Sequence, residues 1–414
     1  MNVLGIVAEY NPFHNGHKYH LLESKRQTKA THTVVIMSGN FLQRGEPALT
    51  NKWIRAEMAV KEGVDLVIEL PIIYACNSAE LFAYGSISLL NHLKIVDFIS
   101  FGSEAGNIEI LKEISSILAT EPLSYQNYLK SFLAQGLSFP DARAKALYKY
   151  INKQDMHLHS ILHSPNNILG IEYIKALMKL NSSIMPFTLN RIKASYHSIH
   201  IEGDICSATA IRSHLSQASG DLSYLQNVIP KDSFYLLAKS MEKGFSPVSY
   251  ADFDQMILSQ LRRLPKTSLL QVMDVNEGLE NRIKEGCFKA TSIENLLQLV
   301  KTKRYTRTRL QRIFLHSLLG ITHNFLLASN KLGGPQYARV LALSSKGAEL
   351  LKKAKQSSNI PILTNINKQK LSSEIARQML SFDILSTDLY SLSYPNIQNR
   401  IGSWDYYHKP YTLL

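Results

Sequence analysis

The sequence is poor in cysteine: three in 414 residues, Cys76, Cys206 and Cys287, with no C-x-x-C pair among them. That excludes a disulfide framework, argues against a thiolate zinc site and sets the expectation of a reducing, cytoplasmic setting. No apolar run approaches the length that spans a bilayer, and the amino terminus reads as a strand rather than a signal peptide, so no membrane association is expected. Acidic residues are scarce in one stretch. Between positions 301 and 370, fourteen Lys/Arg accompany one acidic residue, Glu349.

What is present divides the chain in two. The net charge of +13 is uneven: residues 1–215 hold 20 Lys/Arg against 18 Asp/Glu, and residues 216–414 hold 26 against 15. A nearly neutral half followed by a basic half implies two tasks, the second facing a polyanion. The length also favours two domains over one core. The expected division is 1–215 and 216–414, the second part basic and mainly α-helical; charge alone does not separate RNA from DNA or an acidic membrane as its partner.

In the first half, apolar runs alternate with helical patterns. Strands are expected at Val3–Ala8, Thr33–Met37, Val64–Leu70, Val96–Gly102 and Ile184–Leu189. Helices are expected at His17–Gln27, Lys52–Glu62, Ala79–Leu93 and Asn167–Leu180. This rhythm implies an α/β fold with a Rossmann-like, doubly wound parallel sheet, whose ligands sit beyond the carboxyl ends of the strands.

One loop after the first strand comes His14-Asn15-Gly16-His17. H-x-G-H at a strand-to-helix turn is the signature of nucleotidylyl transfer. Imidazoles can stabilise charge on the α-phosphate and on the departing pyrophosphate, and a glycine lets backbone approach phosphate. His14 and His17 are therefore the candidate catalytic pair. Ser207-Ala208-Thr209-Ala210-Ile211-Arg212 places two hydroxyls and an arginine at an expected helix start, where Ser207, Thr209 and Arg212 can hold the outer phosphates. Lys18 and Arg191 are further candidates for charge neutralisation, with Lys193 close by. The loop Ser38–Pro47 is too long for a minimal turn and reads as part of a closure over the site. His157, His159 and His163 can be drawn as a metal set, but no acidic or thiol partner lies near them in sequence, and no metal site is expected.

In the second half, helical spacing marks Leu225–Lys239, Phe253–Leu264, Ile293–Val300, Leu310–Ile321 and Ala348–Lys355. The segment 301–312 packs six basic residues around Tyr305, and Lys331–Arg339, with Gly333-Gly334-Pro335 and Tyr337, reads as a turn. Lys303, Arg304, Arg307, Arg309, Arg312 and Arg339 are the candidate phosphate contacts, with tyrosine available to stack on an unpaired base.

Several segments resemble one family: Ile6–His17 around H-x-G-H, Met37–Ala48 with Gln43-Arg44-Gly45-Glu46-Pro47, Gly63–Pro71, Ser164–Gly170, the arginine-rich stretch from Arg304, and Tyr337–Leu341. They are similar to the bacterial tRNA(Met) cytidine acetate ligases, a branch of the H-x-G-H nucleotidylyltransferases, over nearly the whole chain. The resemblance implies an ATP-dependent ligase. Acetate and ATP give acetyl-adenylate and pyrophosphate, and the acetyl group passes to the exocyclic amine of the wobble cytidine of elongator tRNA(Met). It implies an ATP site formed by Val7, Ala8, Glu9, Tyr10, Asn11, His14, Gly16, His17, Lys18 and His20, then Gly102, Asn167 in preference to Asn166, and Arg191. ATP enters as substrate, with Mg2+ carried by its triphosphate. Elongator tRNA(Met) and acetate are the expected partners; no protein partner is evident. The alternative is an adenylyltransferase acting on a small phosphorylated metabolite, which has no need of a basic helical half.

Overall fold

The computed structural model describes residues 1–151, 161–191, 206–216, 222–367 and 371–414. Five strands form a parallel sheet: β1 (Val3–Ala8), β2 (His32–Ser38), β3 (Leu66–Leu70), β4 (Phe98–Ser103) and β5 (Met185–Asn190). Their order across the sheet is β5-β4-β1-β2-β3. The chain winds outward from β1 one way through β2 and β3, then the other way through β4 and β5. The crevice at the carboxyl ends of β1 and β4 is therefore the switch point, where doubly wound sheets take their ligands.

Helices on both faces explain why β2 and β3 read as unbroken apolar runs rather than alternating ones. On one face, α1 (Asn15–Thr28) and α2 (Lys52–Lys61) pack with the segment beginning at Cys206: Leu21, Ala56, Ile211 and Leu237 share a core with Leu4 and Val35. On the other face Val34, Ile36 and Ile68 meet Leu90 of the helix Ala79–Leu93, and that core continues into Phe314 and Tyr390 of the helical half.

The helical half also enters the sheet. Strand β6 (Ala338–Ser344) pairs antiparallel with β3, and β7 (Ile362–Leu363) and β8 (Tyr411–Leu413) share its outer edge. The expected division at 215/216 therefore runs through shared cores. The expected turn over Lys331–Arg339 gives way at Ala338 to a strand, because Val340-Leu341-Ala342-Leu343 has an apolar sheet edge to cover. Val3–Ala8, Ala79–Leu93 and Ile293–Val300 have the expected bounds. Three helices at Ile108–Thr120, Leu123–Ala134 and Phe139–Ile151 occupy a stretch where no element is expected from periodicity. Among the described residues no helix is long and apolar enough to cross a membrane.

Candidate active site

The turn between β1 and α1 builds the centre of the site. His14 is the N-cap of α1 and takes part in a reciprocal capping box with His17. The Gly16 N–H donates to His14 Nδ1 at 3.1 Å, and the His14 N–H donates to His17 Nδ1 at 3.3 Å. Each ring thus accepts at Nδ1, which places the proton of each neutral imidazole on Nε2. The rings stack with centroids 3.7 Å apart, and the edge of Tyr10 meets His17 at 4.9 Å. Capping, usually the work of Ser or Asp, here also fixes two tautomers.

Electrostatics keep the pair neutral. Burial pushes His14 down to about 3, with the Arg191 and Arg212 charges adding to the effect. Burial also holds His17 well below the ordinary imidazole range, helped by His14, Arg191 and His20. His20, bonded through Nε2 to the Ser100 hydroxyl at 3.2 Å, is pushed down to about 4 by burial and then by Arg191. Neutral Nε2–H donors strengthen their bonds as phosphate oxygens gain charge and do not give up a proton first.

Arg212 donates to the Asn11 carbonyl at 3.0 Å and reaches Thr209 Oγ1 at 3.4 Å. Ser207 Oγ accepts from the Ala210 N–H at 3.1 Å at the start of the helix Ala208–Ser216. Arg191 donates to Asn166 Oδ1 at 2.9 Å, and its stem packs against Gly102, where a Cβ would lie 3.1 Å away. Among the described residues, no carboxylate stands within ion-pair distance of Arg191 or Arg212. Among the described residues the site thus combines neutral imidazoles with two cations that have no carboxylate partner, an arrangement suited to a polyanionic ligand.

The remaining expected ATP contacts divide. Val7 and Ala8 end β1. The Asn11 side chain accepts from the Leu49 N–H at 2.7 Å and so shapes the turn. Glu9 Oε1 accepts from the Gln43 N–H at 2.9 Å. Lys18 is turned to Glu62, at 2.9 Å. Asn167 is buried, with its Oδ1 on the Ala105 N–H at 3.0 Å, whereas its neighbour Asn166 reaches Arg191. Glu104 accepts from Asn166 Nδ2 and the Asn167 N–H, at 2.6 and 2.9 Å, and so ties the loop after β4 to the helix Pro165–Lys179. His157, His159 and Lys193 lie outside the described residues. Among the described residues no group of His, Cys, Asp or Glu is placed to hold a metal.

Other residues at this edge escaped sequence reasoning. Arg55, fully buried, donates to the carbonyls of Glu9 (2.6 Å), Ser38 (3.1 Å), Gly39 and Thr50 (3.0 Å). It pins the carboxyl ends of β1 and β2; its signal was an arginine inside the apolar run Trp53–Val60. The loop Ser38–Pro47, expected as a closure, is largely buried and fixed. Gln43 Nε2 bonds the Asn77 carbonyl at 2.7 Å, and Gln311 bonds Glu46 at 3.1 Å. Gly45, at φ +83°, lies so close to the helix Arg307–Leu319 that a Cβ would sit 2.6 Å from the Arg312 backbone nitrogen.

The expected RNA contacts also sort by structure. Arg339 is a correction: it is 4% exposed and lies in a buried ion cluster, 2.5 Å from Asp405 and 3.4 Å from Glu69. It cannot meet RNA, because strand β6 turns it inward to neutralise those carboxylates. Tyr305 and Tyr337 are buried too and have no face to offer a base; the Tyr337 hydroxyl bonds Asp383. Lys303 and Arg304 are exposed, and Arg307, Arg309 and Arg312 are half-buried on or beside the helix Arg307–Leu319. Arg304 pairs with Glu277 at 3.0 Å, and Arg307 pairs in two-pronged fashion with Glu294 at 2.6 and 2.5 Å.

Comparison with known proteins agrees with this geometry. The family described as HIGH Nucleotidyl Transferase matches residues 1–405. The chain is 43% identical to the tRNA(Met) cytidine acetate ligase of Alkaliphilus metalliredigens and 45% identical to that of a Thermoanaerobacter species, covering 99% of each chain in both cases. This chain belongs to the tRNA(Met) cytidine acetate ligase family. Among solved structures, Thermotoga maritima TmcAL in its apo form superposes with a TM-score of 0.95, and the same protein bound with α-thio ATP with 0.92. Both are 34% identical, with full coverage of each chain. The fold class and the kind of enzyme expected from the sequence stand.

Proposed function

We propose that this chain joins acetate to the wobble cytidine of elongator tRNA(Met) at the expense of ATP. The observation that carries the reading is the stacked pair His14 and His17, each fixed as an Nε2–H donor at the switch point beside Arg191 and Arg212. Acetate is already ionised near neutral pH, so its oxygen attacks the α-phosphorus without a general base. The bond from the α-phosphorus to the bridging oxygen breaks, and pyrophosphate leaves with the electron pair. His14 and His17 donate to the α-phosphate and leaving-group oxygens; Ser207, Thr209, Arg191 and Arg212 hold the outer phosphates. Magnesium accompanies the triphosphate as its counter-charge. The cytidine amine, weakened as a nucleophile by its ring, then attacks the acetyl carbon of the mixed anhydride, AMP departs, and the amine proton is released.

Under this reading nucleotide chemistry falls to 1–215 and RNA contact to 216–414, in a cytoplasmic protein. The test is incubation with labelled acetate, ATP and total tRNA, followed by nucleoside analysis. Label in acetylcytidine is expected; its absence overturns the reading. ATP–pyrophosphate exchange that requires a phosphorylated metabolite instead of acetate would establish the alternative.

A further inference from the structure

Four arginines cluster where the helix Arg307–Leu319 begins, and they are not equivalent. Arg304 and Arg307 face carboxylates, Glu277 and Glu294, which cancel their field locally. Arg309 meets neutral groups only: its Nη2 donates to the Asp274 carbonyl at 2.7 Å and Asn276 Oδ1 at 3.0 Å, and its guanidinium lies 5.3 Å from the centre of the Tyr305 ring. Arg312 stands one turn further along the same face. Among the described residues the Nε–H groups of both Arg309 and Arg312 are buried without an acceptor. Among the described residues neither Arg309 nor Arg312 has a carboxylate within ion-pair distance, although the Asp274 charge acts on Arg312 from farther off.

Leaving two guanidiniums this way is costly. A buried donor without a partner loses about 1–3 kcal/mol, and cations in the first turns of a helix oppose its dipole. The contacts of Arg309 to Asp274, Asn276 and Tyr305 offset this only in part, and Gln311, between the two in sequence, gives its Nε2 to Glu46. The pair also stands beside the catalytic edge, because the Arg312 backbone abuts Gly45 of the loop after β2.

We infer that Arg309 and Arg312, rather than Arg304 and Arg307, receive the RNA backbone: one phosphodiester, held between two guanidiniums, next to the nucleotide that enters the site. The inference rests on the tRNA-modifying reading above. It separates the six basic candidates of the sequence into one working pair, two neutralised arginines, one exposed lysine and one buried structural arginine.

The test is tRNA binding by the full chain across a salt series. Each phosphate of a single-stranded segment that the protein neutralises adds about 0.7 to the steepness of log K against log salt. Arg309→Gln/Arg312→Gln is expected to flatten the slope by about that amount or more and to weaken binding at least tenfold. Arg304→Gln/Arg307→Gln is expected to change it by less than half as much. Glu277→Gln/Glu294→Gln, which frees the neutralised pair without touching Arg309 or Arg312, should steepen the slope and keeps the test decisive if the first variant folds poorly by thermal melting. Equal effects from the two arginine pairs, the reverse order, or an unchanged slope in the glutamate-to-glutamine variant overturns the inference while the wild type still binds tRNA. A wild type that binds no tRNA at any salt overturns the functional reading, and this inference with it.

Discussion

Two charged clusters sit at the same carboxyl edge of the sheet and are built on opposite plans. Beyond β1 and β4, His14, His17 and His20 are kept neutral by burial, and among the described residues Arg191 and Arg212 touch only neutral acceptors. Beyond β3, Lys52 and Arg339 are locked to Glu69 and Asp405 with no exposed atom of consequence: Lys52 lies 2.8 Å from Glu69 and 2.7 Å from Asp405. Asp383 closes this second cluster, accepting from the Ile72 N–H at 2.7 Å. Among the described residues one cluster leaves its cations without carboxylate partners, the pattern a polyanionic ligand would complete. The other answers every charge internally and holds the helical half to the sheet. A concentration of charged residues is therefore no guide to function until the counter-charges are located.

The comparison can be broken in order of expected effect. Arg339→Ala should cost about 3–5 kcal/mol in chemical unfolding, because it leaves buried carboxylates unpaired; a loss below about 1 kcal/mol would show that the β3 cluster is not a closed structural unit. His17→Ala should lower acetate-dependent ATP–pyrophosphate exchange about a hundredfold or more while the thermal midpoint stays near that of the wild type. An active His17→Ala would remove the pair from the chemistry.

The two clusters should also respond oppositely to pH. His14 and His20 have folded values of about 3 and about 4, below the usual ~6.5 of an unfolded histidine. The unfolded chain therefore binds more protons over that window, and stability is lost as pH falls from about 6.5. Asp383 is pushed up to about 7, by burial first and then by the Glu69 charge. Its folded form binds more protons than the unfolded chain, so its contribution is present below about 4 and lost as pH rises to about 7. Thermal midpoints across pH 4–8 should show the acid-side slope reduced in His20→Gln and the opposing slope removed in Asp383→Asn. Identical profiles for the two variants would refute the contrast.

The smallest effect concerns Lys18, half-exposed and paired with Glu62. Lys18→Ala should change stability by less than about 1 kcal/mol and raise the KM for ATP far less than Arg212→Ala does. Equal increases would return Lys18 to the phosphate site.

Much of the local geometry of the candidate site was legible because its signals are local. A strand, a turn and a helix start lie within His14–His17 and its flanks, and the capping geometry follows from neighbours two and three residues apart. Ser207, Thr209 and Arg212 were legible for the same reason. Arg55 and Glu104 were not, since each acts by reaching main chain or side chains from other elements. The anchoring of the loop Ser38–Pro47 was not legible either, because it depends on Gln311, more than two hundred residues away.

By itself the sequence determined the parallel strands, the placement of two imidazoles at a helix start and the basic character of the second half; these follow from periodicity, adjacency and composition. Tertiary structure alone decided which charges are free. Arg339 is drawn inward by a strand that pairs across 270 positions to Glu69, Arg304 and Arg307 find glutamates on other elements, and Arg309 and Arg312 find none among the described residues. A side chain's charge is a property of the residue, but its availability depends on the partners that folding brings within a few ångströms.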